Sequence, residues 1–97
     1  MAKLAIYAHL TPKPGKEKDV EALLKKGAEM AAGEKQTIAW FGFKESDTSY
    51  GIFDTFDDEA GREAHLNGPI AAALMAKADE LLSSPPKIFK IEIIAEK

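Results

Sequence analysis

Apolar residues recur at two different spacings along this chain, and the change from one spacing to the other predicts its elements. Short runs rich in β-branched and aromatic residues, bounded by turn residues, are typical of strands. Longer stretches in which apolar residues return every three or four positions are typical of helices. The pattern predicts strands at 3–10, 36–44, 49–56 and 87–95, and helices at 17–32, 58–66 and 69–82.

The predicted order of elements is β-α-β-β-α-β, with the second helical region interrupted at Asn67-Gly68. This order is that of the ferredoxin-like α+β fold, in which a four-stranded antiparallel sheet carries the helices on one face. A chain of 97 residues has the length of one domain. We therefore predict a single domain over residues 1–97.

Turn and cap residues mark the boundaries between the predicted elements. The polar segment 45–48 predicts a turn that joins the second and third strands as an antiparallel hairpin. Asp57 is the predicted N-cap of the following helix, and Gly33 is placed to cap the end of the first helix. Pro69 suits the first turn of the last helical segment.

The predicted strands carry apolar side chains at consecutive positions, although alternate residues of a strand point to opposite faces of the sheet. In the first strand, one face receives Leu4, Ile6, Ala8 and Leu10, and the other receives Ala5, Tyr7 and His9. The helices cover one face, so the other face exposes a larger apolar patch than monomers normally show. The pattern predicts a symmetric homodimer whose sheets pack face to face; the alternative is a monomer with an apolar surface.

Charge and composition narrow the possible partners. The net charge is −3 and the lysines are scattered, which disfavours nucleic acid and anionic membrane surfaces as partners. The chain has no cysteine, which excludes disulfides, thiolate metal sites and cysteine nucleophiles. No signal peptide is evident, and no apolar run approaches the roughly 18 residues of a membrane-spanning helix. We expect a soluble protein of the cytoplasm.

The two histidines are the first candidates for chemistry, because imidazole titrates near neutral pH. His65, on the predicted second helix, suits a general base or a proton shuttle. The alternative for His65 is a structural hydrogen bond. His9 shares a strand face with Tyr7, so the two side chains can line one cavity. The alternative for His9 is a position at the margin of the sheet.

Trp40, Asp54 and Arg62 are further candidates for substrate binding. Trp40 can stack on a flat aromatic ligand, or it can anchor the core or an interface. Asp54 and Arg62 lie near the junction of sheet and helix and can orient a polar substrate group; the alternatives are an ion pair or a solvated position. The two histidines lack carboxylates at ligand spacing, so no metal site is predicted. No glycine-rich phosphate loop is present either.

Three segments of the chain resemble the antibiotic biosynthesis monooxygenase domain of the dimeric α/β-barrel superfamily. They read TIAWF at 37–41, YGIFDTF at 50–56 and DEAGREAHL at 58–66, with Gly68-Pro69 after the last. The order of elements also matches, so the resemblance extends over nearly the whole chain.

The resemblance implies a homodimer with a cavity in each subunit. It also implies oxidation of a small aromatic substrate (a quinol, phenol or polyketide-like compound) by dioxygen without metal or bound flavin. In such a reaction the deprotonated substrate itself passes an electron to dioxygen. His65 corresponds to the helix histidine of the family and is the expected base. The expected pocket lining is Tyr7, His9, Trp40 and Phe53.

Members of this superfamily differ in function, so the fold alone does not decide between enzyme and binding protein. The alternative hypothesis is a non-catalytic dimeric protein that binds a small ligand or serves in a stress response. The resemblance favours haem degradation less. Haem-degrading members of the superfamily resemble one another in having an asparagine on the first strand, with a tryptophan and a histidine near the second helix. In this chain the first strand has no asparagine, and Trp40 lies on the second strand.

Overall fold

The computed structural model describes residues 2–97 and consists of a four-stranded antiparallel sheet with three helices on one face. The strand order is β2-β3-β1-β4, as the ferredoxin-like prediction requires. The elements are β1 (Leu4–Leu10), α1 (Glu17–Ala31), β2 (Thr37–Ser46), β3 (Ser49–Phe56), α2 (Glu59–Leu66), α3 (Pro69–Leu81) and β4 (Lys87–Glu92). Within this range, no helix is long and apolar enough to cross a membrane.

The boundaries of the elements differ from the prediction by a few residues. β2 continues through Ser46, so the hairpin turn contains two residues, Asp47 and Thr48, and not the four predicted. β4 ends at Glu92, before the predicted 95, because Glu92 lies opposite Leu4, where the neighbouring strand begins.

Two of the predicted caps are wrong. The N-cap of α2 is Asp58 and not Asp57, since the Asp58 side chain accepts a hydrogen bond from the Gly61 N–H at 2.8 Å. Gly33 does not end α1 in a left-handed conformation: within residues 2–97, Gly15 is the one residue with positive φ. Instead, the Gly33 N–H closes a tighter turn onto the Met30 carbonyl.

The core fills the space between the helices and one face of the sheet. Trp40 packs into it against α1, where Gly27 leaves room for the indole. A Cβ atom at Gly27 would lie 2.9 Å from Trp40 Cη2. The fully buried core includes Leu10, Val20, Tyr50 and Phe56. The core therefore depends on a close approach of α1 to β2 at Gly27.

The opposite face of the sheet is apolar, and no helix among residues 2–97 covers it. Phe41 and Phe89 are 58% and 49% exposed there. The Tyr7 ring stacks between Phe43 and Phe89, with centroid distances of 6.1 and 5.8 Å. Phe43 reaches Tyr7 by passing over Gly51, where a Cβ atom would lie 2.5 Å from Phe43 Cζ. We call Phe43, Tyr7 and Phe89 the aromatic row. The sheet is thus apolar on both faces, as the sequence predicts.

Candidate functional site

His65 lies between two carboxylates on the helix-covered side of the sheet. Its Nδ1 is 2.7 Å from Glu34 Oε1, and its Nε2 is 2.8 Å from Asp54 Oδ2. His65 is 8% exposed and Asp54 only 1%. The Phe56 ring packs against the imidazole, with centroids 5.4 Å apart. We call Glu34, His65 and Asp54 the buried array.

Three separate parts of the chain supply the buried array. Asp54 lies on the helix-facing side of β3, opposite Ile6 on one neighbouring strand and Trp40 on the other. His65 is in the last turn of α2, and Glu34 is in the connection between α1 and β2. The array therefore forms only when the sheet, α2 and the end of α1 are packed together.

Arg62 holds α2 in place on the sheet. Its Nη1 donates to the carbonyls of Ala5 and Ile91, both at 3.2 Å, and its Nη2 donates to Glu59 at 2.6 Å. The side chain is buried, so these bonds act in a medium of low dielectric constant. Because His65 is three residues further along the same helix, Arg62 helps to fix the position of the imidazole.

The two carboxylates set the charge of the imidazole. Burial alone would lower the pKa of His65, but the hydrogen bonds and negative charges of Asp54 and Glu34 outweigh burial and raise the pKa above its ordinary value of 6.5. This arrangement favours the imidazolium form, in which each ring nitrogen donates to one carboxylate. The imidazole is therefore the group of the array whose proton affinity its surroundings increase, which suits a proton acceptor.

Glu34 has a second donor besides His65. The Thr37 hydroxyl donates to Glu34 Oε1 at 2.8 Å. The same oxygen thus receives a hydrogen bond from the imidazole and one from the first residue of β2. This arrangement fixes the carboxylate and leaves its other oxygen, Oε2, on the side of Gly68.

His65 separates two cavities of very different size. On the outer side, Glu34, Thr37, Gly61, His65 and Pro69 contribute to an open groove of about 430 Å³. On the side of the sheet lies a smaller and narrower cavity of about 30 Å³, which His65 and Asp54 border together with apolar side chains. We call these the groove and the inner cavity. The imidazole is the side chain that borders both.

Three buried side-chain polar atoms have no hydrogen-bond partner within residues 2–97: Asp54 Oδ1, Trp40 Nε1 and Arg62 Nε. The first two border cavities near the array. Asp54 borders the inner cavity, and Trp40 borders a separate recess of about 280 Å³ that Glu34 and Thr37 also line. An unpaired buried polar atom is costly, so each is a position at which a ligand atom or a water is favoured.

The seven residues predicted from sequence to form the site do not meet in one pocket of this chain. Asp54 and His65 are in direct contact, and Trp40 lies beside Asp54 on the same face. Arg62 is buried against main-chain carbonyls, so the solvated alternative for it and for Asp54 is wrong. The remaining three lie on the uncovered face of the sheet: Tyr7, His9 and Phe53.

On that uncovered face, His9 belongs to a second cluster of titratable groups. Glu45 Oε1 lies 3.0 Å from His9 Nδ1 and accepts hydrogen bonds from the Tyr7 and Ser49 hydroxyls at 3.0 and 3.2 Å. The His9 and Glu45 side chains are 29% and 37% exposed. We call these four residues the outer cluster. It pairs a histidine with a carboxylate, as the buried array does, but in contact with solvent.

Sequence reasoning missed Glu34 and Thr37. Glu34 lies in a connection without periodicity, and Thr37 reads as the polar start of a strand. Their partner His65 is 31 residues from Glu34 along the chain. Only tertiary packing brings them together, so no local spacing signals the contact. The array also does not offer metal ligands, since among residues 2–97 no group of three suitable side chains can hold an ion. The two carboxylates bind opposite edges of the imidazole and do not converge.

Similar solved structures show which fold the chain has. No family model matches the chain, and no curated protein is similar to it. The structure of Rv0793 from Mycobacterium tuberculosis is similar over 98% of each chain, with a TM-score of 0.86 at 19% identity. A proposed antibiotic biosynthesis monooxygenase from Nitrosomonas europaea is similar over 95% of this chain and 99% of its own, with a TM-score of 0.84 at 10% identity. The fold is thus the one that the sequence resemblance predicts.

A third structure has much higher identity. The NE2512 protein of unknown function from Nitrosomonas europaea is 52% identical, covers 100% of this chain and 94% of its own, and superposes with a TM-score of 0.96. This chain therefore belongs to the same protein family as NE2512.

Proposed function

We propose that this protein is a monooxygenase that oxidises a small phenol- or quinol-type aromatic with dioxygen, without a metal or bound flavin. One observation carries the proposal: the buried array, a unit able to accept a proton, forms part of the wall of the groove. At about 430 Å³, the groove is within the range of roughly 300–1,000 Å³ that is typical of small-molecule sites.

The first step of the reaction is removal of a proton from the substrate. A proton taken from a phenol or an activated methylene group passes to the array, in which each ring nitrogen of His65 faces a carboxylate oxygen. The three groups are coupled through short hydrogen bonds, so the acceptor is the array as a unit and not one residue. The hydrogen bonds of the two His65 ring nitrogens and the burial of the array keep it in one geometry. General base catalysis requires such a fixed geometry.

The second stage is the reaction of the substrate anion with dioxygen. For an activated methylene group, one oxygen atom becomes the product carbonyl and the other leaves as water with the two hydrogens of the methylene. All the electrons that reduce dioxygen come from the substrate, so no external reductant is needed. The imidazolium of His65 stabilises the negative charge that develops on oxygen.

Oxygen consumption by the metal-free protein tests this function. The assay uses a panel of anthrones and hydroquinones, with EDTA present throughout, and isotopically labelled dioxygen to follow one oxygen atom into the product. We expect His65→Gln to lower the rate by about 10²–10⁴-fold. The matched control is Glu63→Gln on the same helix, because Glu63 is exposed and pairs with Lys90; its rate should equal that of the wild type.

Two results would contradict the monooxygenase proposal. Uptake that survives His65→Gln would remove the buried array from the reaction. Absence of uptake across the panel, together with saturable quenching of Trp40 fluorescence by the same compounds, would identify a non-catalytic ligand-binding protein instead. Trp40 is a suitable reporter because it is the single tryptophan of the chain.

We also propose that the protein is a symmetric homodimer that pairs the uncovered faces of two sheets. The aromatic row runs across this face, and Phe41 and Phe89 are about half exposed on it. A surface that is the same on both copies allows a two-fold contact, in which each row packs on the other. The apolar composition of the face favours association, since it removes aromatic surface from water.

Sedimentation equilibrium tests the dimer. We expect a particle of twice the 10.5 kDa chain mass, and dissociation in the Phe89→Lys variant. Met75→Lys is the control, because Met75 is similarly exposed, at 55%, but lies on α3 on the other side of the sheet. A monomeric wild type, or a Phe89→Lys variant that stays dimeric, would show that this face is not the interface.

A further inference from the structure

The inner cavity is bordered almost entirely by apolar side chains. It lies between the sheet and the helices α2 and α3, and Asp54 and His65 are its polar members. Its apolar lining includes Ile6, Ile52, Leu66, Ile70 and Leu74. Within residues 2–97, the Asp54 side chain contributes one oxygen without a partner, Oδ1.

The size of the inner cavity exceeds that of one water molecule. A water needs about 10–15 Å³ on the same scale, whereas the cavity offers about 30 Å³, enough for a molecule of two heavy atoms. An ordered water also needs two to four polar partners, and the cavity supplies a single unpaired side-chain oxygen. The apolar lining therefore suits a small apolar molecule, and the polar position in the cavity that a water could occupy is at Asp54 Oδ1.

The position of the inner cavity gives it a role in the oxidation. His65 forms part of its wall and part of the wall of the groove. A molecule in the inner cavity and a substrate in the groove therefore both lie against His65, and dioxygen leaves the inner cavity to react with the substrate anion. Once protonated, the ring is the cationic group of the array and stabilises negative charge on oxygen.

We infer that the inner cavity is the dioxygen-binding site of this protein, beside the Asp54–His65 pair. The inference rests on the function proposed above, because it assigns a place to the dioxygen which that reaction consumes. It adds that dioxygen binds before the substrate is oxidised, at a site that the substrate itself does not occupy. The aromatic substrate is too large for about 30 Å³ and binds in the groove.

Xenon is the probe for this site, because it enters apolar cavities and is detected without any reaction. Crystals of the wild type pressurised with xenon should show an atom in contact with Ile6 and Ile70. In solution, xenon and dissolved dioxygen should each perturb the methyl NMR signals of these two residues. An ordered water bonded to Asp54, with no xenon beside it, would overturn the inference.

Ala8→Val provides the variant that fills the site. Ala8 is buried on β1 and borders the inner cavity, and valine suits a strand. The matched control is Ala73→Val, because Ala73 borders a different apolar cavity of about 20 Å³ between α1 and α3. We expect loss of xenon beside Asp54 in Ala8→Val and retention in Ala73→Val. Xenon found only in the smaller cavity of the wild type would contradict the assignment.

The two proposals fail in distinguishable ways. If the panel substrates are oxidised but xenon does not enter the inner cavity, the function stands and the dioxygen site is wrong. If xenon enters but no substrate is oxidised, the cavity is a gas site and the proposed function is wrong. If both hold, Ala8→Val should raise the KM for dioxygen and leave kcat at saturating dioxygen close to that of the wild type.

Discussion

The buried array and the outer cluster each join a histidine to a carboxylate, and they lie on opposite faces of one sheet. In each, a histidine nitrogen is 3.0 Å or less from a carboxylate oxygen that also accepts from a hydroxyl. They differ in burial: His65 is 8% exposed, whereas the His9 side chain is 29% exposed. In a single subunit, solvent screens the outer pair and also hydrates each partner if the other is lost. The comparison therefore predicts that burial, and not the presence of a histidine and a carboxylate, gives such a pair its contribution to stability.

Removal of one carboxylate from each cluster should give the largest difference. Asp54→Ala leaves His65 buried without one of its counter-charges, and breaking a buried pair costs about 3–5 kcal/mol. Glu45→Ala, made in the dissociated Phe89→Lys background, leaves His9 in contact with water and should cost about 0–1 kcal/mol. Urea denaturation at one fixed protein concentration measures both, because dimerisation makes stability depend on concentration. Equal losses would show that the two clusters are energetically alike.

The pH dependence of stability should distinguish the two clusters when each histidine is replaced by glutamine. His65→Gln removes charged hydrogen bonds and should cost about 1–3 kcal/mol near pH 6. Because the folded-state pKa of His65 is raised above 6.5, its contribution is complete below that pH and is lost as pH rises through the folded-state value. The stability gap between wild type and His65→Gln should therefore shrink at alkaline pH. Melting temperatures of wild type, His65→Gln and His9→Gln from pH 6 to 9 check this; a gap that widens with pH contradicts the assigned charge.

A methyl group at Gly51 should disturb the outer face and spare the array. The new Cβ atom would lie 2.5 Å from Phe43 Cζ and 3.2 Å from the Ala8 carbonyl oxygen, and it would push the ring off Tyr7. Phe43 lies on the uncovered face and its ring can move, so the cost should be about 1 kcal/mol, at the lower end of the range for overpacked cores. Gly33→Ala is the control, since its nearest neighbour is Met30 O at 3.6 Å and its φ is not positive. Thermal unfolding compares the two variants. A Gly51→Ala variant with an unchanged melting temperature would mean that the aromatic row rearranges with no loss of stability.

The smallest effect should come from the hydroxyls that support each carboxylate. Thr37→Val removes the donor to Glu34 inside the packed site and should cost about 1 kcal/mol. Ser49→Ala removes the donor to Glu45 at the surface, where water replaces it, and should cost less. Chemical denaturation of both variants gives the difference. A larger loss for Ser49→Ala would reverse the ranking of the two clusters.

The order of the elements was predictable because each strand and helix follows from a local pattern of side chains. The N-cap of α2 was misassigned because Asp57 and Asp58 are chemically equivalent there, and only the helix register decides which side chain reaches the Gly61 N–H. Alternation along β1 correctly separates Ile6 from Tyr7, but it does not say which face the helices cover. The sequence therefore predicts the order of the elements, but it does not predict which face of the sheet is covered.

The candidate site was predictable only in part. His65 and Asp54 were chosen for their chemistry and do lie in contact, at 2.8 Å. Glu34 was not found, because it comes from a connection whose position depends on how α1 packs. For Arg62 the hypotheses included contact with substrate and an ion pair, and the structure gives it Glu59 together with the carbonyls of Ala5 and Ile91. Such contacts join distant parts of the chain, and sequence spacing carries no trace of them.

The bonds of Arg62 also have a consequence for how the protein is made. Its guanidinium joins Ala5, near the start of the chain, to Ile91, near its end. Translation delivers residues in order, at roughly 5–20 per second, so β4 leaves the ribosome after β1 and α2. Until β4 has emerged, α2 lacks one of its two main-chain anchors on the sheet. A nascent chain without β4 therefore holds α2, and with it His65, by fewer bonds than the complete fold does.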